Sequence, residues 1–101
     1  MIRHIVMFQF KEEAEGRTKV ENLQIAKSML ESLVGVVPTL KNLYVALNHK
    51  DANNENYDLV LVSEYEDMED LNAYQIHEAH KKVSEFVGKV RETRACIDFM
   101  I

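Results

Sequence analysis

Tyr57-Asp-Leu-Val-Leu-Val-Ser-Glu-Tyr-Glu66 carries four apolar residues in unbroken succession, Leu59, Val60, Leu61 and Val62. Successive side chains of a strand point to opposite faces, so this run is apolar on both. The opening stretch Ile2-Arg-His-Ile-Val-Met-Phe-Gln-Phe-Lys11 behaves similarly. Its even positions read Ile2, His4, Val6, Phe8 and Phe10, and its odd ones still include Ile5 and Met7. A sheet with one face in water would alternate more cleanly. Both faces of this sheet need cover, and that requirement decides the architecture.

Between these strands, Val20, Leu23, Ala26, Met29, Leu30, Leu33 and Val34 recur at three- and four-residue steps and predict an amphipathic helix over 17–34. Gly35 and Pro38 then stop it. A second strand over 40–48 alternates Leu43, Val45 and Leu47 against Tyr44, Ala46 and Asn48, and the polar tract 49–56 reads as a hairpin loop. After the third strand, Asp67 is placed to cap a short helix that runs to about His77, with Glu69 and Asp70 in its first turn. A further helix over 79–94 presents Val83, Phe86, Val87 and Val90 on one face, and 95–101 forms the last strand. The order is β-α-β-β-α-β, an α+β, ferredoxin-like split βαβ plan in which a four-stranded antiparallel sheet carries its helices on one face.

Two helical arms cover one face only. An apolar sheet left bare on the other would exceed the few hundred Å² that monomers usually expose. The sequence therefore predicts a homodimer, two sheets packed face to face about a two-fold axis. With 101 residues, 47% of them apolar, there is material for one domain, residues 1–101, and one core. A net charge of -5, with Lys and Arg scattered among acids, argues against nucleic acid or an anionic membrane as partner. No apolar run reaches the length of a bilayer span, and the first ten residues do not read as a secretory signal, so a cytoplasmic protein is expected. The single cysteine, Cys96, fits a reducing compartment and reads as a small apolar strand residue.

Chemistry concentrates in Tyr74-Gln-Ile-His77-Glu-Ala-His80, with His4 on the first strand. Three of the four histidines could meet in one cavity and bind a ligand there together with Tyr74. Tyr74 and His80 are six residues apart, so their contact requires a bend near His77. Held together, the phenol would set the imidazole's tautomer and leave its other nitrogen to abstract a proton alpha to a carbonyl. His4 would hydrogen-bond the oxygen as enolate charge develops. The plain alternative is a set of core-edge polar groups that satisfy one another. His77, His80 and His4 could instead hold zinc, although no Cys or obvious carboxylate completes that set. His49 reads as a solvated loop residue, and Glu12-Glu13 and the acids of 64–70 as solvated faces and helix starts. Asp98 is either an inward acid paired with Arg or His or an exposed strand residue.

The words Ile2-Arg-His-Ile-Val-Met-Phe-Gln-Phe-Lys11, Val36-Val-Pro-Thr-Leu-Lys41, Tyr57 to Glu66, Asp70-Leu-Asn-Ala-Tyr-Gln-Ile-His77 and Ile97-Asp-Phe99, in this order and spacing, resemble the stress-responsive dimeric α/β-barrel (Dabb) family. The resemblance implies the dimeric α/β barrel over the whole chain. A more distant resemblance, to olivetolic acid cyclase, implies cofactor-independent aldol closure of a polyketide, with its catalytic residues falling on His4, Tyr74 and His80. A further pocket tyrosine of that cyclase falls near Leu30, so its substrate does not carry over. The family pattern His-Pro-x-His stands here as His77-Glu-Ala-His80, which implies a more continuous join between the two helices. Some relatives hold a cation on backbone carbonyls that fall at Val34, Val37 and Leu40, a role that oxygen ligands suit.

Three functions remain open at this stage. The favoured one is a stress-associated barrel that binds a small hydrophobic or aromatic molecule. The second is a cofactor-independent cyclase or lyase with His80 as base, or a monooxygenase by looser fold analogy. The third is a structural module with no connected cavity. No cofactor is expected, because no Gly-rich phosphate-binding loop is present.

Overall fold

In the computed structural model, which describes residues 1–101, the elements are β1 (Ile2–Phe10), β2 (Glu13–Ala14), β3 (Arg17–Thr18), α1 (Lys19–Glu31), β4 (Asn42–Leu47), β5 (Leu59–Tyr65), α2 (Met68–Ile76), α3 (Glu78–Val90) and β6 (Arg91–Met100). Four strands form an antiparallel sheet in the order β4-β5-β1-β6. This is the expected split β-α-β-β-α-β plan, with the apolar run of 59–62 in β5 and the doubly apolar opening stretch in β1 at its centre. The helices pack on the face that receives Val6, Phe8 and Phe10 of β1, Leu59, Leu61 and Tyr65 of β5 and Leu43 and Val45 of β4, all buried. No helix is long and apolar enough to cross a membrane.

The strands expected over 40–48 and 57–66 shorten to Asn42–Leu47 and Leu59–Tyr65, and three helix boundaries shift by two residues or more. The first helix starts at Lys19 rather than Arg17, because Arg17–Thr18 pairs with Glu13–Ala14 in a short ribbon turned at Gly16 (φ 74°). Thr18 caps α1, its hydroxyl oxygen accepting the Glu21 amide at 3.3 Å, and Glu21 accepts the Thr18 amide in return. The helix then ends at Glu31 instead of Val34. Leu33 and Val34 continue as tighter i→i+3 turns, to Leu30 and Glu31, before Gly35 at φ 83°. At the C-terminal end the sheet claims 91–94, which the periodicity assigns to a helix. The Lys11 amide donates to the Val90 carbonyl at 2.9 Å, and β6 pairs with β1 as far as Phe10↔Arg91. Strand pairing there outweighs the helical preference of Arg and Glu, which is worth only tenths of a kcal/mol.

A break also persists at His77, despite Glu78 standing where the family pattern has proline. His77 adopts φ -64°, ψ 139°, so one residue ends α2 and begins α3. Its own Nδ1 accepts the Ala79 amide at 3.0 Å, which supplies the cap that makes a proline unnecessary.

The outer face of the sheet carries no helix, and the loop before β5 reaches its Gln9 end, where Gln9 Nε2 donates to the Glu55 carbonyl oxygen at 3.4 Å. Cross-strand register lines up Tyr44, Val62, Ile5 and Ile97 in one row and Ala46, Val60, Met7 and Ala95 in the next. Tyr44 and Ile97 are 56% and 61% exposed and Met7 37%. An Arg3–Glu64 ion pair at 2.6 Å borders these rows.

Candidate functional site

A cavity of about 180 Å³ lies between the sheet and α3. Val6, Phe8, Leu61 and Val87 form its apolar wall, and His4, Gln75, His80, Ser84, Arg91 and Arg94 supply the polar one. The cavity therefore brings His4 and His80 to one space, from a central strand and from the first turns of α3.

His4 is almost fully buried, and its position follows from register: it stands opposite Ser63 of β5 and Asp98 of β6. Its Nδ1 is hydrogen-bonded to the Asp98 carboxylate, which orients the ring and leaves Nε2 as the nitrogen free for a ligand. Asp98 is thus an acid paired with histidine, one of the two alternatives the sequence left open. Cys96 lies on the same side of β6, with Sγ 3.6 Å from His4 Nδ1 and 3.8 Å from Asp98 Oδ1. Burial pushes its thiol pKa up, and the Asp98 charge adds to that. His4, Cys96 and Asp98 place one nitrogen, one sulfur and one oxygen within 4.8 Å of one another, a donor set compatible with zinc.

His80 is placed by the break at His77, which folds α3 back so that its ring centroid lies 4.5 Å from that of Tyr74. The phenol does not set its tautomer, contrary to expectation. Nδ1 of His80 lies 3.0 Å from the Gln75 carbonyl oxygen, and since a carbonyl only accepts, the proton must sit on Nδ1. Nε2 then carries the lone pair. Burial lowers the His80 pKa, opposed by the Gln75 bond and reinforced by charge on His4 and Arg94. A neutral imidazole with one nitrogen fixed as donor leaves the other nitrogen able to accept a proton.

Tyr74 itself is fully buried and does not line the cavity. Its ring packs between those of Tyr65, at 5.1 Å, and His80, and its hydroxyl has no partner at hydrogen-bond geometry, although the Tyr65 phenol lies near enough to act on its pKa. Burial raises its pKa to about 12, so the phenol stays protonated. It packs behind His80 and contributes no surface to the cavity. His77 also stands apart, in a groove with Met29, Leu33 and Lys82, so the expected meeting of three histidines, and zinc held by His77, His80 and His4, are not formed. The Cys and carboxylate that this set lacked stand instead beside His4. Val34, Val37 and Leu40 lie in the turns between α1 and β4, away from the cavity. The Val37 carbonyl there accepts the Leu40 amide at 3.2 Å. Gln75, Ser84, Arg91 and Arg94 are cavity residues that sequence periodicity did not single out, the arginines because they were assigned to a helix.

The depressed His80 pKa has a sign that can be tested. The unfolded ring titrates near about 6.5, above the folded value. As pH falls through that window the unfolded chain takes up the proton first, so stability is lost there and unaffected above it. Urea unfolding of His80→Gln is expected to show a shallower decline in stability from pH 7 to pH 5 than the parent. Equal slopes would mean the ring is not desolvated.

The family described as a stress responsive A/B barrel domain matches residues 2–101. No curated protein matches the chain. Among solved structures, a dimeric protein of ferredoxin-like fold from Bacteroides fragilis is 23% identical, with a TM-score of 0.82 over 99% of this chain and 95% of that one. A hydroxynitrile lyase from Passiflora edulis is 12% identical, with a TM-score of 0.80 over 99% and 92%. An antibiotic biosynthesis monooxygenase is 15% identical, with a TM-score of 0.71 over 100% and 98%. At these identities the likeness is one of fold.

Proposed function

Because the chain belongs to the stress responsive A/B barrel domain family, we propose that it is a face-to-face homodimer in which each subunit binds a small hydrophobic or aromatic molecule between sheet and helices. One observation carries the reading: His4 and His80, 76 positions apart in the chain (80 − 4), line the same cavity opposite an apolar wall. Convergent polar groups in a largely preformed apolar cleft are what ligand sites are made of. The dimer is supported by the two apolar rows on the outer face and by the dimeric Bacteroides fragilis structure of the same fold.

A second reading, cofactor-independent lyase or cyclase chemistry, is favoured by the state of His80. Its Nδ1–H is held on Gln75, its pKa is lowered, and Nε2 is free to take a proton from carbon next to a carbonyl. His4, oriented by Asp98 through Nδ1, would stabilise the developing oxyanion only as an imidazolium, which donates from Nε2–H. The hydroxynitrile lyase of the same fold keeps this reading open. An NMR titration of the histidine side chains against small aromatic and β-diketone ligands tests both. His4 and His80 are expected to shift together with one ligand while His49 and His77 stay still. His80→Ala then separates the readings: lost affinity alone supports binding, and lost turnover with an intact dimer supports catalysis. If no ligand moves His4 or His80, the site proposal fails.

A further inference from the structure

We propose that the molecule this cavity takes is a small carboxylic acid, its carboxylate held by Arg91 and Arg94 and its apolar body lying against Val6, Phe8, Leu61 and Val87. The inference rests on the reading of the cavity as a binding site.

The register of β6 is the first support. Residues three apart on a regular strand point to opposite faces. Here the partners of Phe8, Gln9 and Phe10 are Arg94, Thr93 and Arg91, so Glu92 is an extra residue and the strand bulges. The bulge turns Arg91 back to the side of Arg94, and both residues line the cavity. Bulges beside functional sites often re-aim a side chain in this way.

Charge is the second support. The chain carries 17 acids against 12 bases, and its ion pairs engage Arg3, Lys19, Lys27, Lys41 and Lys89. Arg91 and Arg94 pair with no carboxylate, as is also true of Lys11, Arg17, Lys50, Lys81 and Lys82, but these two share a cavity that no acid lines. Two arginines without a carboxylate partner on one cavity wall favour an anion there, and a planar fork suits a planar carboxylate. Gln75 and Ser84 add neutral donors beside them. Size limits the rest of the ligand. An apolar cavity of roughly 150 Å³ accommodates benzene, so about 180 Å³ takes one ring or a short chain plus its acid group.

Isothermal titration of the intact protein with benzoate, benzamide and acetate tests this, with the His4 and His80 resonances as a second readout. Benzoate is expected to bind about tenfold or more tightly than benzamide, as charge-assisted hydrogen bonds imply. That advantage should fall to near parity in Arg91→Gln and in Arg94→Gln. Acetate, lacking the body, should bind more weakly than benzoate. Benzamide equal to benzoate, or benzoate affinity unchanged in both variants, overturns the anion assignment and leaves the cavity proposal standing. Acetate as tight as benzoate overturns the apolar half. If neither ring compound moves His4 or His80, the cavity is not a ligand site and this inference falls with it.

Discussion

Met7→Asp is expected to convert the protein from a dimer to a folded monomer at micromolar concentrations. Met7 lies on β1, a central strand, in the apolar row Ala46, Val60, Met7 and Ala95, and points away from the helices. In one subunit its side chain is already 37% exposed, so a carboxylate there leaves the core of that subunit intact. Between two packed sheets the same carboxylate would be buried without a partner. An uncompensated buried charge costs roughly 3–5 kcal/mol. A two-fold contact repeats the change on both sides, so the loss approaches twice that, and at about 1.4 kcal/mol per decade the dissociation constant should rise by four decades or more. Val20→Asp is the control. Val20 is equally apolar and more exposed, but it sits on α1, and its replacement should leave the dimer unchanged. Sedimentation velocity distinguishes the outcomes. A Met7→Asp protein that stays dimeric would mean that the outer sheet face is not the interface.

The second large effect concerns Tyr74. Truncation to Ala empties the space between the rings of Tyr65 and His80 and should cost about 3–5 kcal/mol in urea unfolding, as large aromatic deletions do in closed cores. Tyr74→Phe should behave in the opposite way. The Tyr74 hydroxyl is buried without a partner, and leaving a polar group in that state costs on the order of 1–3 kcal/mol, so its removal is expected to be neutral or to stabilise. The same variant discriminates roles at the site. If the phenol served only as a support behind His80, Tyr74→Phe keeps the His80 titration and ligand response unchanged. A phenol that set the imidazole's proton would shift both, in conflict with the Gln75 carbonyl at 3.0 Å.

Much of the architecture was legible in the residues. Leu59, Val60, Leu61 and Val62 placed a strand apolar on both faces, and the alternation of Leu43 and Val45 against Tyr44 and Ala46 holds in β4, the first pair buried and the second exposed. It ends at Leu47 and Asn48, which are both half-buried. Asp67 caps α2 as its type and position implied, its carboxylate accepting the Asp70 amide at 2.9 Å. These features depend on local chemistry and on periods of two or 3.6 residues, which a linear chain displays openly.

The site was legible only in part. His4 and His80 could be singled out because imidazoles are few and chemically distinctive, and the need for a bend near His77 followed from a six-residue separation. That Gln75 rather than Tyr74 fixes the His80 proton, that His77 spends its nitrogen on a cap, and that Asp98 and not another acid pairs with His4 were not legible. Each depends on which atoms a packed interior brings within 3 Å, and residue type leaves that open. Arg91 and Arg94 show the distinction most clearly. By sequence they are polar positions at the end of a helix, and only the pairing of β6 with β1, with one residue bulged at Glu92, makes them strand residues that share a face. The sequence by itself determined the order of elements, the doubly apolar sheet and the few residues capable of acid–base chemistry, because those follow from side-chain type and spacing. Register, bulge and hydrogen-bond partner were decided by tertiary structure, because they follow from long-range contacts whose geometry no local pattern encodes.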